Sequence, residues 1–349
     1  MGVTKEQVLN ALSSVMDPDL KRDIVSLGFV KDLKIEGGRV SFELELTTPA
    51  CPLKEQLKAA AEKALKQVKG VSEVHMDVTS KVSSHRAQTE GEILPGVKNI
   101  VAIASGKGGV GKSTVCVSLA VALARTGAKV GLLDTDIYGP SIPIMMGVKE
   151  QPELKEQRLI PILKYGIKLM SIGFLISEDT PLIWRGPMVM KAVEQLITDV
   201  EWGELDYLLM DLPPGTGDVQ LTLAQKVPMT GAVIVTTPQD VALLDVVRGI
   251  SMFKKLNVPI LGIVENMSFF KCPHCGERSE IFSHGGGEAA SRKLEVPFLG
   301  EVPIDLKTRT GGDTGRPVLI DEPDSSQSRI FMEIAERMAA GISSLILSP

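Results

Sequence analysis

Residues 106–114 read GKGGVGKST, preceded by the apolar run NIVAIAS (99–105) and followed by VCVSLAVALARTG (115–127). The pattern G-x-x-x-x-G-K-[ST] between a strand and a helix is a phosphate-binding loop. Its glycines let backbone N–H groups turn inward onto phosphate oxygens, and the helix N-terminus that follows adds partial positive charge. Lys112 is expected to reach the β- and γ-phosphates and Ser113 to hold Mg²⁺, with Gly106, Lys107, Gly108, Gly109, Val110, Gly111 and Thr114 completing the cradle. A chance glycine-rich turn would have no reason to stand between this strand and this helix.

Further along the chain, short apolar runs recur, each followed by a polar or glycine-rich turn and a helical pattern: KVGLLD (129–134), YLLMD (207–211), GAVIVTT (231–237), ILGIV (260–264) and FLGEVP (298–303). Runs that are continuous rather than alternating indicate strands buried on both faces, hence an α/β fold with a mostly parallel sheet covered by helices. Such sheets hold ligands beyond the carboxyl ends of their strands. Two runs close on aspartates, Asp134 in LLDTDIYGPS (132–141) and Asp211 in YLLMDLPPGTGD (207–218). Asp211 is expected to hold the Mg²⁺ shell, with Asp134 supporting the metal region and the Gly215 N–H offered to the γ-phosphate. A strand-end aspartate is often only a helix cap, and Asp218 reads equally well as the cap of VQLTLAQK (219–226).

The second motif is FFKCPHCGER (269–278). Two residues between Cys272 and Cys275 direct both sulfurs inward, and Gly276 permits the tight turn, as in metal-binding knuckles. The same four residues also suit a dithiol redox pair or inert thiols. The redox reading needs a helix N-terminus, and residues 277–282 do not continue as an apolar helix face. A tetrahedral site needs four ligands, so either His284 or another local group completes the set, or two chains each contribute a pair. Thiolates suit zinc as well as an iron–sulfur cluster. Cys116, inside the apolar helix after the loop, reads as a core residue.

Residues 5–79 read as a small α+β unit. Val8, Leu9, Leu12, Val15 and Met16 fall at helical spacing, and Val40, Phe42, Leu44 and Leu46 alternate with polar residues as in a half-buried strand. A second helix is expected from Leu53, with Leu57, Ala61, Ala64 and Val68 on one face. In TTPACPL (47–53) Cys51 falls where that helix should begin, with Pro52 suited to its first position. A helix N-terminus favours thiolate, making Cys51 a candidate transient metal ligand or sulfur handler, against the plainer reading of a buried helix-start cysteine. Asp17 in DPDL (17–20) reads as a turn residue. The expected division is a small domain over 1–80, a linker over 81–97 and a P-loop domain over 98–349. Residues 325–345 carry a helical stripe of Phe331, Ile334, Met338 and Ile342 with balanced charges, favouring packing on the domain over a membrane-binding helix.

With 44% hydrophobic and 23% charged residues, a formal net charge of −5 and 4% aromatics, the composition is globular and argues against nucleic acid as a partner. The four cysteines are too few for a disulfide scaffold. The first residues lack a basic segment followed by an apolar run, and no stretch is long and apolar enough to span a membrane, so a cytoplasmic, membrane-free protein is expected.

The loop with its extra Lys107, the DTDIYGPS (134–141) and DLPPGTGD (211–218) stations and CPHC after GIVENMSFF (262–270) together resemble the Mrp/ApbC-type iron–sulfur cluster carrier ATPases, over residues 95–345. These belong to the deviant Walker A class of MinD/ParA-like P-loop proteins. The resemblance implies an ATPase that works as a homodimer, Lys107 reaching the partner's nucleotide and Asp136 orienting the attacking water. It also implies ATP rather than GTP, with Asn266 touching adenine and Pro303 and Asp305 forming a second base-contact loop, although a structural turn explains the last two equally. Cys272 and Cys275 would hold a [4Fe–4S] cluster for delivery to apo-proteins, in contact with cluster-assembly machinery. The first 80 residues resemble a small domain that also occurs alone in cluster-assembly factors, with DPDL and TTPACP as its hallmarks. A MinD/ParA-like spatial organiser and a dithiol redox protein are the alternatives.

Overall fold

The computed structural model describes residues 2–84, 93–137, 139–175 and 186–347, apart from the side chains of 186–190 and 240–241. By contact it falls into two units, Met1–Ser83 with Ala339–Pro349, and Ser84–Met338. Within the expected linker, residues 85–92 lie outside the described residues.

The smaller unit contains α1 (Lys5–Leu12), β1 (Val30–Glu36), β2 (Arg39–Leu46), α2 (Lys54–Lys66) and β3 (Glu73–Ser80). Thr4 and Gln7 form a reciprocal cap at the start of α1. Strand β1 pairs antiparallel and β3 parallel with β2, the latter requiring α2 as a crossover. The alternation read from the sequence holds: Val40, Phe42, Leu44 and Leu46 are buried against Val8 and Leu12 of α1 and Leu57, Ala61 and Leu65 of α2.

Three local expectations change. Helix α1 stops at Leu12, and Met16 lies 53% exposed in a two-residue strand paired with Asp23. The buried face of α2 runs through Leu65, with Ala64 and Val68 only half-buried. That helix begins at Lys54, so Cys51 and Pro52 precede it in a turn closed by Lys54 N–H donating to the Cys51 carbonyl at 3.3 Å. Asp17 is a turn residue: its Oδ1 accepts from the N–H groups of Asp19 and Leu20.

The larger unit runs β4 (Val97–Ala104), α3 (Lys112–Arg125), β5 (Val130–Asp134), β6 (Ile162–Lys164), β7 (Ile167–Ser171), α4 (Gly186–Thr198), β8 (Leu205–Asp211), α5 (Asp218–Lys226), β9 (Gly231–Thr236), α6 (Asp240–Lys255), β10 (Ile260–Lys271), β11 (Arg278–Ser279), α7 (Gly286–Leu294), β12 (Phe298–Ile304), α8 (Leu306–Thr314) and, continuing into the second piece of the smaller unit, α9 (Ser326–Leu347). A nine-stranded sheet follows the order β6-β7-β5-β8-β4-β9-β10-β11, with β12 also beside β10. Every pairing from β7 to β10, and that of β12, is parallel; β6 and β11 join antiparallel.

All six apolar runs are strands. Strands β5 and β9 are buried along their whole length, as continuous apolar sequence between two helical layers requires. The loop helix α3 is itself core: Val115 to Leu123 are buried throughout. The stripe of α9, Phe331, Ile334, Met338 and Ile342, is at most 1% exposed, leaving none of it for a membrane surface. Among the described residues no helix is long and apolar enough to cross a membrane.

Candidate functional site

Three central strands deliver the site. Strand β4 leads into the glycine loop, and β5 and β8 end level with it, Asp211 standing opposite both Asp134 and Ile103 in register. Gly109 and Gly111 both adopt φ of 80°, a left-handed conformation L side chains rarely take. At Gly111 a Cβ would also lie 2.2 Å from Asn266 Nδ2. Asn266 donates that amide to the Val110 carbonyl at 2.8 Å, tying β10 to the loop.

The carboxylates converge on the loop lysine. Lys112 Nζ lies 2.6 Å from Asp211 Oδ1 and 3.5 Å from Asp136 Oδ2, and the lysine is 5% exposed. Ser113 Oγ donates to Asp211 Oδ2 at 2.5 Å. Asp134 Oδ1 accepts from the Asp136 N–H at 3.1 Å, and Asp134 Oδ2 from Ser171 Oγ at 2.9 Å. Burial, and then Asp211 beside it, pushes the Asp134 carboxyl up to about 8. Burial also raises Asp211, against the opposing pull of Lys112 and Ser113. For Lys112 burial works against the charge, yet Asp211 and Asp136 outweigh it and raise its pKa. Among the described residues Asp136 Oδ1 is buried without a hydrogen-bond partner.

Lys107, Gly108, Gly109, Gly111, Lys112, Ser113, Thr114 and Asp136 line one cleft of about 190 Å³, with Ser105, Ser141, Met145 and Pro214. An ammonium, a hydroxyl and carboxylates around inward-turned backbone are the groups that hold a phosphate chain and its metal. Lys107 Nζ lies 3.3 Å from Gln239 Oε1 of its own chain. Cys116 is wholly buried, and that burial pushes its thiol well above the usual range, as a core residue requires.

Five sequence-predicted residues stand differently. The Gly215 N–H donates to the Ser105 carbonyl at 2.9 Å, so in this conformation it is engaged within the chain. Asn266 holds the loop rather than lining the cleft. Asp305 caps α8, its Oδ2 accepting from Thr308 N–H at 2.7 Å, and the Pro303 carbonyl accepts from Gln327, which are the marks of a structural turn. Asp218 is the first residue of α5 and makes no side-chain cap; its exposed charge faces the helix's positive end. Ser171 and Gln239 were missed, Ser171 because β7 itself was not foreseen.

Strand β10 runs on from Asn266 to Lys271, directly before Cys272. The thiols sit in a hairpin closed by β11, Phe270 pairing with Ser279 and Lys271 with Arg278, with the Cys272 N–H donating to the Glu277 carbonyl at 2.9 Å. The residues directly after the pair lead into strand β11 rather than a helix, so the local setting is that of a metal knuckle rather than a helix-borne dithiol. Cys275 is exposed and Cys272 half-buried. Backbone N–H groups of Cys275 and His274, then the Cys275 thiol, lower the pKa of Cys272. Among the described residues no third His, Cys, Asp or Glu converges with the two sulfurs; His284 instead meets Glu301, 2.6 Å away.

Residues 96–339 match the family described as NUBPL iron-transfer P-loop NTPase, and residues 5–76 match iron–sulfur cluster assembly protein. An iron–sulfur cluster carrier protein of Synechocystis is 50% identical over 347 residues, 98% of each chain. A nucleotide-binding protein from Archaeoglobus fulgidus, solved with ADP and with cobalt detected, is 42% identical, with a TM-score of 0.59 over 66% of this chain and 90% of that one. The cell-division ATPase MinD of Pyrococcus furiosus, 24% identical with a TM-score of 0.51 over 68% of this chain and 97% of that one, shares the fold alone.

Proposed function

This chain belongs to the family of NUBPL iron-transfer P-loop NTPases, and on that premise we propose that it hydrolyses ATP to carry a [4Fe–4S] cluster, held between two copies, to apo-proteins. The observation that carries the reading is one strand: β10 touches the phosphate loop through Asn266 and continues into the thiol hairpin. A shift at the loop therefore has a short covalent route to the cargo.

Each chain brings two thiols without a third convergent ligand among its described residues, and a cubane takes four thiolates. Two copies supply four. Lys107 borders the cleft, which supports the class reading that it serves a partner's nucleotide. Lys112 neutralises the terminal phosphates, Ser113 and Asp211 would hold Mg²⁺, and Asp136, with its unpartnered oxygen, orients water. Mg²⁺ supplies charge neutralisation at the phosphates. Cys51 acts as a transient ligand, and zinc occupies the thiols where iron and sulfide are scarce. The family matches either side of residues 77–95 support a boundary between the small domain, read as 1–80, and the P-loop domain, read as 98–349, across the linker 81–97; the last residues, Ala339–Pro349, group by contact with the smaller unit. The setting is the cytoplasm, and the partners are a second copy, cluster-assembly machinery and apo acceptors.

The test is to load the full chain anaerobically and follow transfer to an apo acceptor with and without ATP, beside Asp136→Ala. ATP should speed transfer from the parent and leave the variant unchanged. Equal rates with and without ATP in the parent contradict the coupling.

A further inference from the structure

Glu265 stands on β10, His284 in the turn before α7 and Glu301 on β12, and one ligand atom from each lies within 4.8 Å of the others. His284 Nε2 is 2.6 Å from Glu301 Oε2. We propose that Glu265, His284 and Glu301 bind a first-row divalent cation, ferrous iron in the working protein, at a site separate from the thiol pair.

The two carboxylates have outer contacts of the kind that orient a metal ligand. Glu265 is wholly buried and accepts from Ser268 Oγ at 2.5 Å and from the Gly285 N–H at 3.1 Å, with the Gly287 N–H on its other oxygen. Nε2 of His284 makes the 2.6 Å contact to Glu301 that a cation would replace, while Nδ1 lies 3.9 Å from Glu280, beyond hydrogen-bond reach. Glu301 Oε1 faces Arg278 Nη1 at 3.7 Å, and that guanidinium is held over the Phe269 ring at 3.8 Å.

A plainer account makes Glu265 the cap of α7 and His284–Glu301 an ion pair. That account leaves two carboxylates within 4.8 Å of each other with a shared serine hydroxyl between them. Like charges that close are unfavourable. The carboxylates of Glu265, Glu280 and Glu301 gather around one guanidinium, that of Arg278, and a dication would offset the excess of acidic groups. One imidazole with two carboxylates suits ferrous iron, manganese or zinc rather than soft monovalent copper. The choice of iron rests on the carrier reading, in which iron waits one hairpin away from the thiols. Binding displaces at most the imidazole proton and involves no electron transfer.

The experiment uses the full chain carrying Cys51→Ser, Cys272→Ser and Cys275→Ser, which leaves only the buried Cys116, titrated anaerobically with Co²⁺ as a spectroscopic stand-in and then competed with Fe²⁺. One Co²⁺ per chain should bind with ligand-field bands and no sulfur-to-cobalt charge transfer. Adding His284→Ala or Glu301→Gln, both partly exposed positions, should weaken binding at least tenfold. No equimolar uptake by this triple variant, uptake dominated by sulfur charge transfer, or unchanged affinity in both ligand variants overturns the site. Because a chain without Cys272 and Cys275 holds no bridging cluster, this outcome is independent of whether the cluster-carrier reading stands.

Discussion

Asp211 binds both residues that open α3: its Oδ1 lies 2.6 Å from the Lys112 ammonium and its Oδ2 accepts the Ser113 hydroxyl at 2.5 Å. The carboxylate that would carry the metal shell thus holds the phosphate lysine in place beforehand. A triphosphate entering the cleft competes for that ammonium, so binding and rearrangement of these three residues are one event.

Lys112→Ala should abolish ATP binding, measured by calorimetric titration, because no other side chain lining the cleft places an ammonium against Asp211 and Asp136. It also strands buried carboxylates, a loss of up to about 3–5 kcal/mol that their protonation reduces. ATP affinity within twofold of the parent would remove Lys112 from the phosphate site.

Asp136→Ala should keep ATP affinity while turnover falls by at least tenfold, since Asp136 brings an unpartnered oxygen to the cleft without being the residue that anchors Ser113. Single-turnover hydrolysis measured beside equilibrium binding separates the two. Hydrolysis at the parent rate would reassign the water-orienting carboxylate.

Asp134 has its folded pKa raised from 3.8 to about 8, so the folded protein holds a proton that the unfolded chain releases. Stability from this group is full below pH ~4, falls as pH rises, and flattens above about 8. Asp134→Asn imitates the protonated acid and should flatten that slope, unfolding at higher denaturant than the parent at pH 8.5. Parallel pH profiles for the two proteins would contradict a neutral Asp134.

Asn266→Ala should lower affinity for ATP and GTP by the same factor, because the amide holds the Val110 carbonyl rather than lining the cleft. A selective loss of ATP would restore the base-contact role. Gly111→Ala should impair both nucleotides more severely, combining a φ of 80° with a Cβ 2.2 Å from that amide.

The site was legible where its chemistry needs a fixed order along the chain. The glycine loop, Asp134 and Asp211 sit at the ends of continuous apolar runs, so sequence alone placed them at strand ends, and the sheet order makes those ends neighbours. Strand β7 escaped because Lys168 interrupts its run and the preceding β6 leaves Leu163 70% exposed at the sheet edge. With it went Ser171, the partner of Asp134. Asn266 and Asp305 could not be separated into loop tie and helix cap from sequence, since both roles use the same polar residue at a strand end. The convergence of Glu265, His284 and Glu301 depends on tertiary pairing of β10 with β12, which no local spacing encodes.

The central claim is that two chains share one cluster through Cys272 and Cys275. Its most direct measurement is anaerobic reconstitution with iron and sulfide, counting both by chemical assay and mass by native mass spectrometry. Four irons and four sulfides on a dimer are expected, with none retained by Cys272→Ser although that variant still binds ATP. A monomer holding a complete cluster, or undiminished cluster content in Cys272→Ser, would contradict it.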